Sequence, residues 1–419
     1  MNMLRQRIEL GWHVIALTLL SGAFIPLWRQ ETLGDTIATS GDPIQQVVLL
    51  FSYSGLVLLW WYRQQAVSVA LRGWLIWVII GWAILSVLWS QAPALTIRRS
   101  ATLLLATLYG LLLAIRYPPA TVLRLIGSAM AIIVVSSLIA IGLGAPGAIM
   151  GHPHPGAWQG IMYHKNALGR ICVLALIVFG VLMYQTTMPW RIGWGVLIAS
   201  CVGLIVGSQS VTAAVILFII ILAWMVLIPF SMASRREKFQ MTMISLGIAA
   251  PIGYLLWSYS EDIAQLLNRD LTLTGRLLLW QALLPIGWKQ ALTGYGFGAF
   301  WTDPSRMMDV DIALMRLRFW WALQAHNGYI DVWLELGIVG VCIVFALLTF
   351  IVQYGILYTQ TNQANNKYFM HFLFLLAVFL ITYNLAEAVL LETNLGKAIF
   401  WIIPSWSYFV TQKNKRVER

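Results

Sequence analysis

Runs of about twenty apolar residues, long enough to cross a bilayer as helices, succeed one another along almost the whole chain, and their longest interruption lies between Tyr259 and Ala325. Only 10% of the 419 residues are charged, 60% are hydrophobic and the mean hydropathy is +0.78. A soluble domain carries roughly 25% charged residues. An aqueous fold of this length cannot hide so much apolar surface, so the solvent is lipid. Spans are expected at 10–28, 44–62, 73–90, 99–116, 121–143, 166–185, 191–207, 211–230, 240–258, 327–351, 367–386 and 395–411. Arg5 and Arg7 precede the first, and no small-residue cleavage site follows it, so it is read as a retained span. The expected fold class is an all-α polytopic membrane protein with about 12 transmembrane helices and one long extracytoplasmic loop containing short amphipathic helices. The divisions are 1–258 (nine helices), the loop 259–326, and 327–419 (three helices and a tail), forming one integrated domain.

The 21 Trp and 15 Tyr cluster at span ends, as in an interfacial belt. Cys172, Cys201 and Cys342 all sit inside apolar runs and read as small core residues, with no disulfide or metal spacing. The net charge of +11 would suggest nucleic acid in a soluble protein; here it reads as topology, and no nucleic-acid partner is expected. With the N-terminus placed in the cytoplasm, 15 of the 27 Lys and Arg fall inside, almost all in short loops or tails, whereas 13 of the 16 acidic residues fall outside. Both termini are therefore expected to be cytoplasmic and the 259–326 loop to face outward. Arg98, Arg99, Lys165 and Arg170 then lie in short outer segments against the positive-inside preference. Snorkelling to lipid phosphates accounts for any one of them. Four on one face make better functional candidates.

Pro93 and its polar neighbours mark a turn, after which Arg98 and Arg99 open a helix from outside. His152, His154 and His164 invite a metal reading, but prolines stiffen the backbone between the first two and the segment has no cysteine or carboxylate, so no metal is expected. His164-Lys165-Asn166 at a helix N-terminus suits an anion or hydroxyl better. Gly294-Tyr295-Gly296-Phe297-Gly298 resembles a phosphate loop only in composition: it has no preceding strand and no following Lys-Ser or Lys-Thr, so its glycines read as turn formers. Segment 305–321 mixes Arg306, Arg316 and Arg318 with Met, Leu, Phe, Trp320 and Trp321, as in a helix lying in the headgroup plane. His326 ends the polar loop beside Asn327 and Tyr329. A lone interfacial histidine is more often structural than catalytic; its position at the loop mouth keeps both readings open.

Taken together, Trp89-Ser90 with Pro93 and Arg98-Arg99, His164-Lys165-Asn166 with Leu168-Gly169, Gly275-Arg276 with Trp280, Gly294 with Gly296, and His326-Asn327 with Glu335 and Gly337 resemble the O-antigen ligase / Wzy polymerase superfamily, and within it the ExoQ-like exopolysaccharide proteins. The motifs stand in the family's order across residues 80–345. The resemblance implies a bacterial inner-membrane glycosyltransferase working on the outer face. Its donor would be a glycan on a polyprenyl diphosphate, normally undecaprenyl. Its acceptor would be a sugar hydroxyl, on another lipid-linked repeat unit for a polymerase or on lipid A core for a ligase. A chain-length regulator or export protein is an optional partner. Family members commonly carry a cation in a hairpin like 208–212, where this chain has Val211.

A diphosphate is already a good leaving group, so arginines can neutralise the developing charge without a metal or cofactor. Arg276 is the first choice for the diphosphate and is grouped with His326 as catalytic; Arg98, Arg99, Arg170 and Lys165 are helpers. His326 could take the acceptor's proton. Direct displacement by that hydroxyl would invert the anomeric centre. His164, Asn166, Asn327, Tyr329, Trp280 and Glu335 are the glycan-binding candidates. The rivals are a transporter or flippase, whose ionisable groups would gather nearer the bilayer midplane, and a scaffold that needs neither His326 nor the arginines.

Overall fold

The computed structural model describes residues 3–29, 43–152, 154–232, 276–302, 324–357 and 364–391, with isolated residues 236, 237, 240, 243, 402, 403, 405 and 406. In chain order the helices are α1 (Met3–Leu20), α2 (Ile25–Arg29), α3 (Pro43–Tyr53, running on as a 3-10 turn Ser54–Trp60), α4 (Arg63–Ala70), α5 (Trp74–Leu85), α6 (Pro93–Arg116), α7 (Pro119–Gly142), α8 (Lys165–Gln185), α9 (Trp190–Ser208), α10 (Val211–Met232), α11 (Arg276–Trp288), α12 (Gly328–Leu357) and α13 (Ala364–Tyr383). Among the described residues there is no strand, only an isolated antiparallel bridge between Ile149 and Trp158. Among the described residues six helices are long and apolar enough to cross a membrane, or seven if the bent pair α4–α5 counts as one span, and Val211–Val226 and Tyr368–Tyr383 are shorter apolar helices. The chain is an all-α polytopic membrane protein. Ten of the twelve expected spans fall on these helices; 240–258 and 395–411 lie outside the described residues, as do most of the 259–326 loop and its 305–321 helix. The stretch between the second and third spans differs from expectation. Arg63–Ala70 is helical and meets the following helix at 88°.

The centre of the bundle is α8. It is apolar on every side, and α7, α9, α10 and α13 pack round it. Between helices in lipid, close packing rather than water exclusion supplies the attraction, so small residues mark the contacts. A Cβ at Gly169 would overlap Ser210 and Ala213, and one at Gly180 would overlap the Trp224 ring. Near the other end of the bundle, Glu9 of α1 accepts from Arg116 at 3.0 Å and from the Tyr117 hydroxyl at 2.6 Å. This ties α1 to the end of α6.

A second constraint is a break in α12 at Gly337, which has φ 69° and ψ −173°. A break frees backbone groups that lipid cannot satisfy. Here the Gly-rich loop enters the gap. Tyr295 N donates to Leu334 O and Gly296 N to Glu335 O, each at 2.9 Å, while Trp82 Nε1 takes Leu336 O. On the far side Ile338 N donates to Ala291 O. The glycines are turn formers with a further duty: Gly294, Gly296 and Gly298 all have positive φ and press against Glu335, Ser90 and Arg99 respectively. Gly337→Ala puts a Cβ into the Leu292–Thr293 backbone at a left-handed φ. The conformation alone costs about 1–2 kcal/mol. The variant is expected to lower the melting midpoint in detergent; an unchanged midpoint would contradict this role for the break.

Candidate active site

Four chain segments converge on one carboxylate, that of Glu387. The turn that carries it follows α13 and is shaped by the fully buried Asn384. The Asn384 side chain accepts from Val389 N (2.9 Å) and Leu390 N (3.2 Å), and its backbone carbonyl takes Gly328 N (2.8 Å). Glu387 N closes the turn on Tyr383 O. Glu387 Oε1 accepts from Arg276 Nη2, at the first residue of α11, and from Asn166 Nδ2, in the first turn of α8, both at 2.9 Å. Oε2 meets His326 Nδ1 at 3.0 Å and Gln324 Nε2 at 3.4 Å. Arg276 also donates to Ala386 O.

The Glu387 side chain is only 7% exposed, against 16% for Arg276 and 36% for His326. The carboxylate is thus inside and the imidazole reaches the opening. Burial alone would raise the Glu387 carboxyl. The His326 hydrogen bond and the charges of Arg276 and Arg170 outweigh it and hold the group below its ordinary value of 4.5. His326 adopts φ 49°, a left-handed conformation uncommon outside glycine. Strain of this kind collects at functional sites because the surroundings hold it in place. Behind it, Trp280 Nε1 donates to Ala325 O at 2.8 Å, and Ala325 N and Trp301 Nε1 both donate to Asp331 Oδ1.

His326, Arg276 and Asn166 therefore meet on one carboxylate. Lys165 and Arg170 are buried in the first two turns of α8, Arg170 within electrostatic reach of Glu387 and Lys165 of His164. Arg99 lies elsewhere: it presses on Gly298 and faces Glu335, whose carboxylate accepts from Gly298 N, and Arg98 beside it is exposed. His164 is the N-cap of α8, its Nδ1 accepting from Asn166 N at 3.1 Å. Burial pushes this imidazole down to about 4; Glu387 opposes the shift, and His154, Lys165 and His326 add to it. The ring is neutral at pH 7, as an Nδ1 acceptor must be, and its proton sits on Nε2. Asn327 caps α12, its Oδ1 accepting from Tyr329 N and Ile330 N. The Tyr329 hydroxyl donates to Ile381 O at 3.0 Å and its ring stacks on Phe345. Among the described residues no three His, Cys, Asp or Glu side chains are grouped to hold a metal ion; His154 and His164 lie edge to face at 5.9 Å.

Glu387 is absent from the candidate residues expected from sequence. The usable signal was an ionisable residue at the end of an apolar run, which asks for a partner. Gln324, Ser210 and Asn384 carried no such signal.

Residues 167–345 match the O-antigen ligase family, Wzy_C. Over 318 residues the chain is 25% identical to the exopolysaccharide production protein ExoQ of Rhizobium meliloti (strain 1021), covering 72% of this chain and 70% of that protein. The family match takes in Arg170, Ser210, Arg276 and His326 but stops short of Glu387. Both findings support the O-antigen ligase / Wzy superfamily and, within it, the ExoQ-like branch.

Proposed function

We propose that this chain, a multi-pass bacterial membrane protein of the O-antigen ligase / Wzy superfamily on its ExoQ-like branch, polymerises polyprenyl-diphosphate-linked oligosaccharide repeat units on the outer side of the cytoplasmic membrane. The observation that carries the reading is the pairing of His326 and Arg276 on the two oxygens of Glu387. A carboxylate can only accept, so the proton of the neutral imidazole belongs on Nδ1. Nε2, on a side chain that is 36% exposed, is then the basic atom. It takes the proton of the acceptor hydroxyl as that oxygen bonds to the anomeric carbon of the donor glycan. The bond from that carbon to the diphosphate oxygen breaks, and polyprenyl diphosphate leaves with the electron pair. The anomeric centre inverts.

The leaving charge is met by Arg276, with Arg170 and Lys165 beside it. This scheme supplies counter-charge from side chains alone and calls on no metal or cofactor. Arg99 belongs to the separate junction at Glu335 and Gly298, and Arg98, exposed beside it, is given no part in this step. The hydrogen bonds of Asn327, Tyr329 and Trp280 hold the His326 segment in place. Glycan contact is assigned to His164 through Nε2 and to the Trp280 ring face.

A second reading, transfer of glycan to lipid A core, is favoured by the name of the matching family. The relative's printed name favours exopolysaccharide instead. The test is purified protein with a polyprenyl-diphosphate-linked repeat unit and EDTA, resolved on a gel. A ladder of lengthened glycans is expected. Product only after addition of lipid A core would make the protein a ligase. Unextended glycan moving across proteoliposomes would make it a transporter.

A further inference from the structure

We infer that Asn166 and Ser210 are positioning residues, a neutral hydrogen-bonded relay that holds Glu387, and through it His326, against the 208–210 hairpin. This rests on the glycosyltransfer reading above, in which His326 is the base.

Each polar atom of Asn166 is engaged. Nδ2 donates to Glu387 Oε1 at 2.9 Å, Oδ1 accepts from Ser210 Oγ at 2.9 Å, the backbone N–H caps onto His164, and the carbonyl accepts from the Tyr383 hydroxyl at 3.2 Å. The amide can sit only one way round, because turning it would set its oxygen against the Glu387 carboxylate. Ser210 has a single hydroxyl proton. Its oxygen already accepts from Ala213 N at the start of α10, so that proton goes to Asn166. The chain therefore runs in one direction from Ser210 through Asn166 to Glu387, whose other oxygen accepts from His326 Nδ1. It is built where Gly169 lets α8 approach Ser210 and Ala213 closely.

The physical need for such a relay follows from Arg276. Both Arg276 and Asn166 donate to the same oxygen of Glu387. In turnover the guanidinium shares its charge with the leaving diphosphate, and its hold on Glu387 weakens. Asn166 is neutral, has no attraction for the leaving group, and is fixed from behind by α10. It keeps the carboxylate, and with it the Nδ1 proton of His326, in register. The hairpin itself offers no cation, and the side chain that follows Ser210, Val211, is half exposed. Its contribution to the site is a hydrogen bond.

The test uses the full chain in the ladder assay. Asn166→Ala is expected to lower kcat by about 10–100-fold, the usual loss when a reacting group is slightly misplaced, with KM little changed. Ser210→Ala is expected to lower kcat less, and the double variant to be no slower than Asn166→Ala, since both act through one chain. Asn166→Asp gives the diagnostic readout. Two facing carboxylates share a proton that can stand in for the amide N–H, and a rising pH removes it. This variant is expected to lose activity as pH rises, a limb that Asn166→Ala lacks. A higher KM at unchanged kcat would make Asn166 a glycan contact and overturn the proposal, as would additive single variants. If the wild type makes no product, the glycosyltransfer reading fails separately. The relay is then read from ¹⁵N-histidine NMR, where Asn166→Ala should mix the His326 tautomers; an unchanged spectrum overturns it.

Discussion

His326→Ala is expected to insert and fold as the wild type does and to lower kcat by about 10²–10⁴-fold, the range that one positioned general base contributes. The reason lies in geometry rather than residue type. His326 presents Nδ1 to a buried carboxylate at 3.0 Å, while its side chain is 36% exposed. Alanine removes the proton acceptor and leaves Arg276 with its Glu387 partner, so donor binding and KM should hold. Removing the ring also takes one donor from the buried Glu387, which keeps Arg276, Asn166 and Gln324, so a lower melting midpoint is expected and is measured separately from kcat. His326→Asn is the companion variant. Asparagine tolerates the left-handed conformation and can donate to Glu387, but it has no basic atom. It should be as slow as alanine. Retention of a tenth or more of wild-type kcat by either variant, measured on purified protein with a polyprenyl-diphosphate-linked repeat unit, would remove His326 from the chemistry.

The membrane fold was open to reading because each span carries its own signal in its apolar run, and ten expected spans meet helices. Local signals also located His326 and Arg276, the first at the edge of the polar loop, the second by resemblance in the motif with Trp280. What stayed hidden depends on contacts distant in sequence. Glu387 follows His326 by 61 positions, and nothing near it says that it faces an arginine, an imidazole and two amides. The break at Gly337 leaves the hydrophobic pattern of α12 intact. It shows only when the 290–298 loop is seen to supply the missing hydrogen bonds. Arg98-Arg99 and Arg276 looked like one cluster because topology puts them on one face. In the folded chain Arg99 packs against Gly298 beside Glu335 and Arg276 meets Glu387, two separate acids. Adjacency of side chains is not legible in sequence.

Glu387→Gln should affect both chemistry and stability, and the two can be told apart. An amide in place of the carboxylate turns its NH₂ toward either His326 or Arg276. Turned to His326, it donates to Nδ1 and drives the ring proton to Nε2, where it blocks the base. Turned to Arg276, it confronts a cation with a donor. In either arrangement catalysis should fall by about 10²–10⁴-fold, the scale on which a base in the wrong tautomer fails. Stability should fall as well. Removing one partner of a buried ion pair leaves the other charge uncompensated, at about 3–5 kcal/mol. The pH dependence separates this from a general loss of packing. Because Glu387 is held below its ordinary carboxyl value, the folded state binds its proton less readily than the unfolded state. Its contribution is therefore fully present above about 4.5, the unfolded value, and is lost as pH falls through the lower folded value. A melting midpoint followed from pH 7 downward should drop for the wild type in that acid window. For Glu387→Gln it should start lower and lack that step. Glu387→Asp, which keeps the charge on a shorter arm, should recover part of the activity and restore the acid step. Parallel curves for wild type and the glutamine variant would mean that Glu387 does not carry the charge on which Arg276 and His326 are arranged.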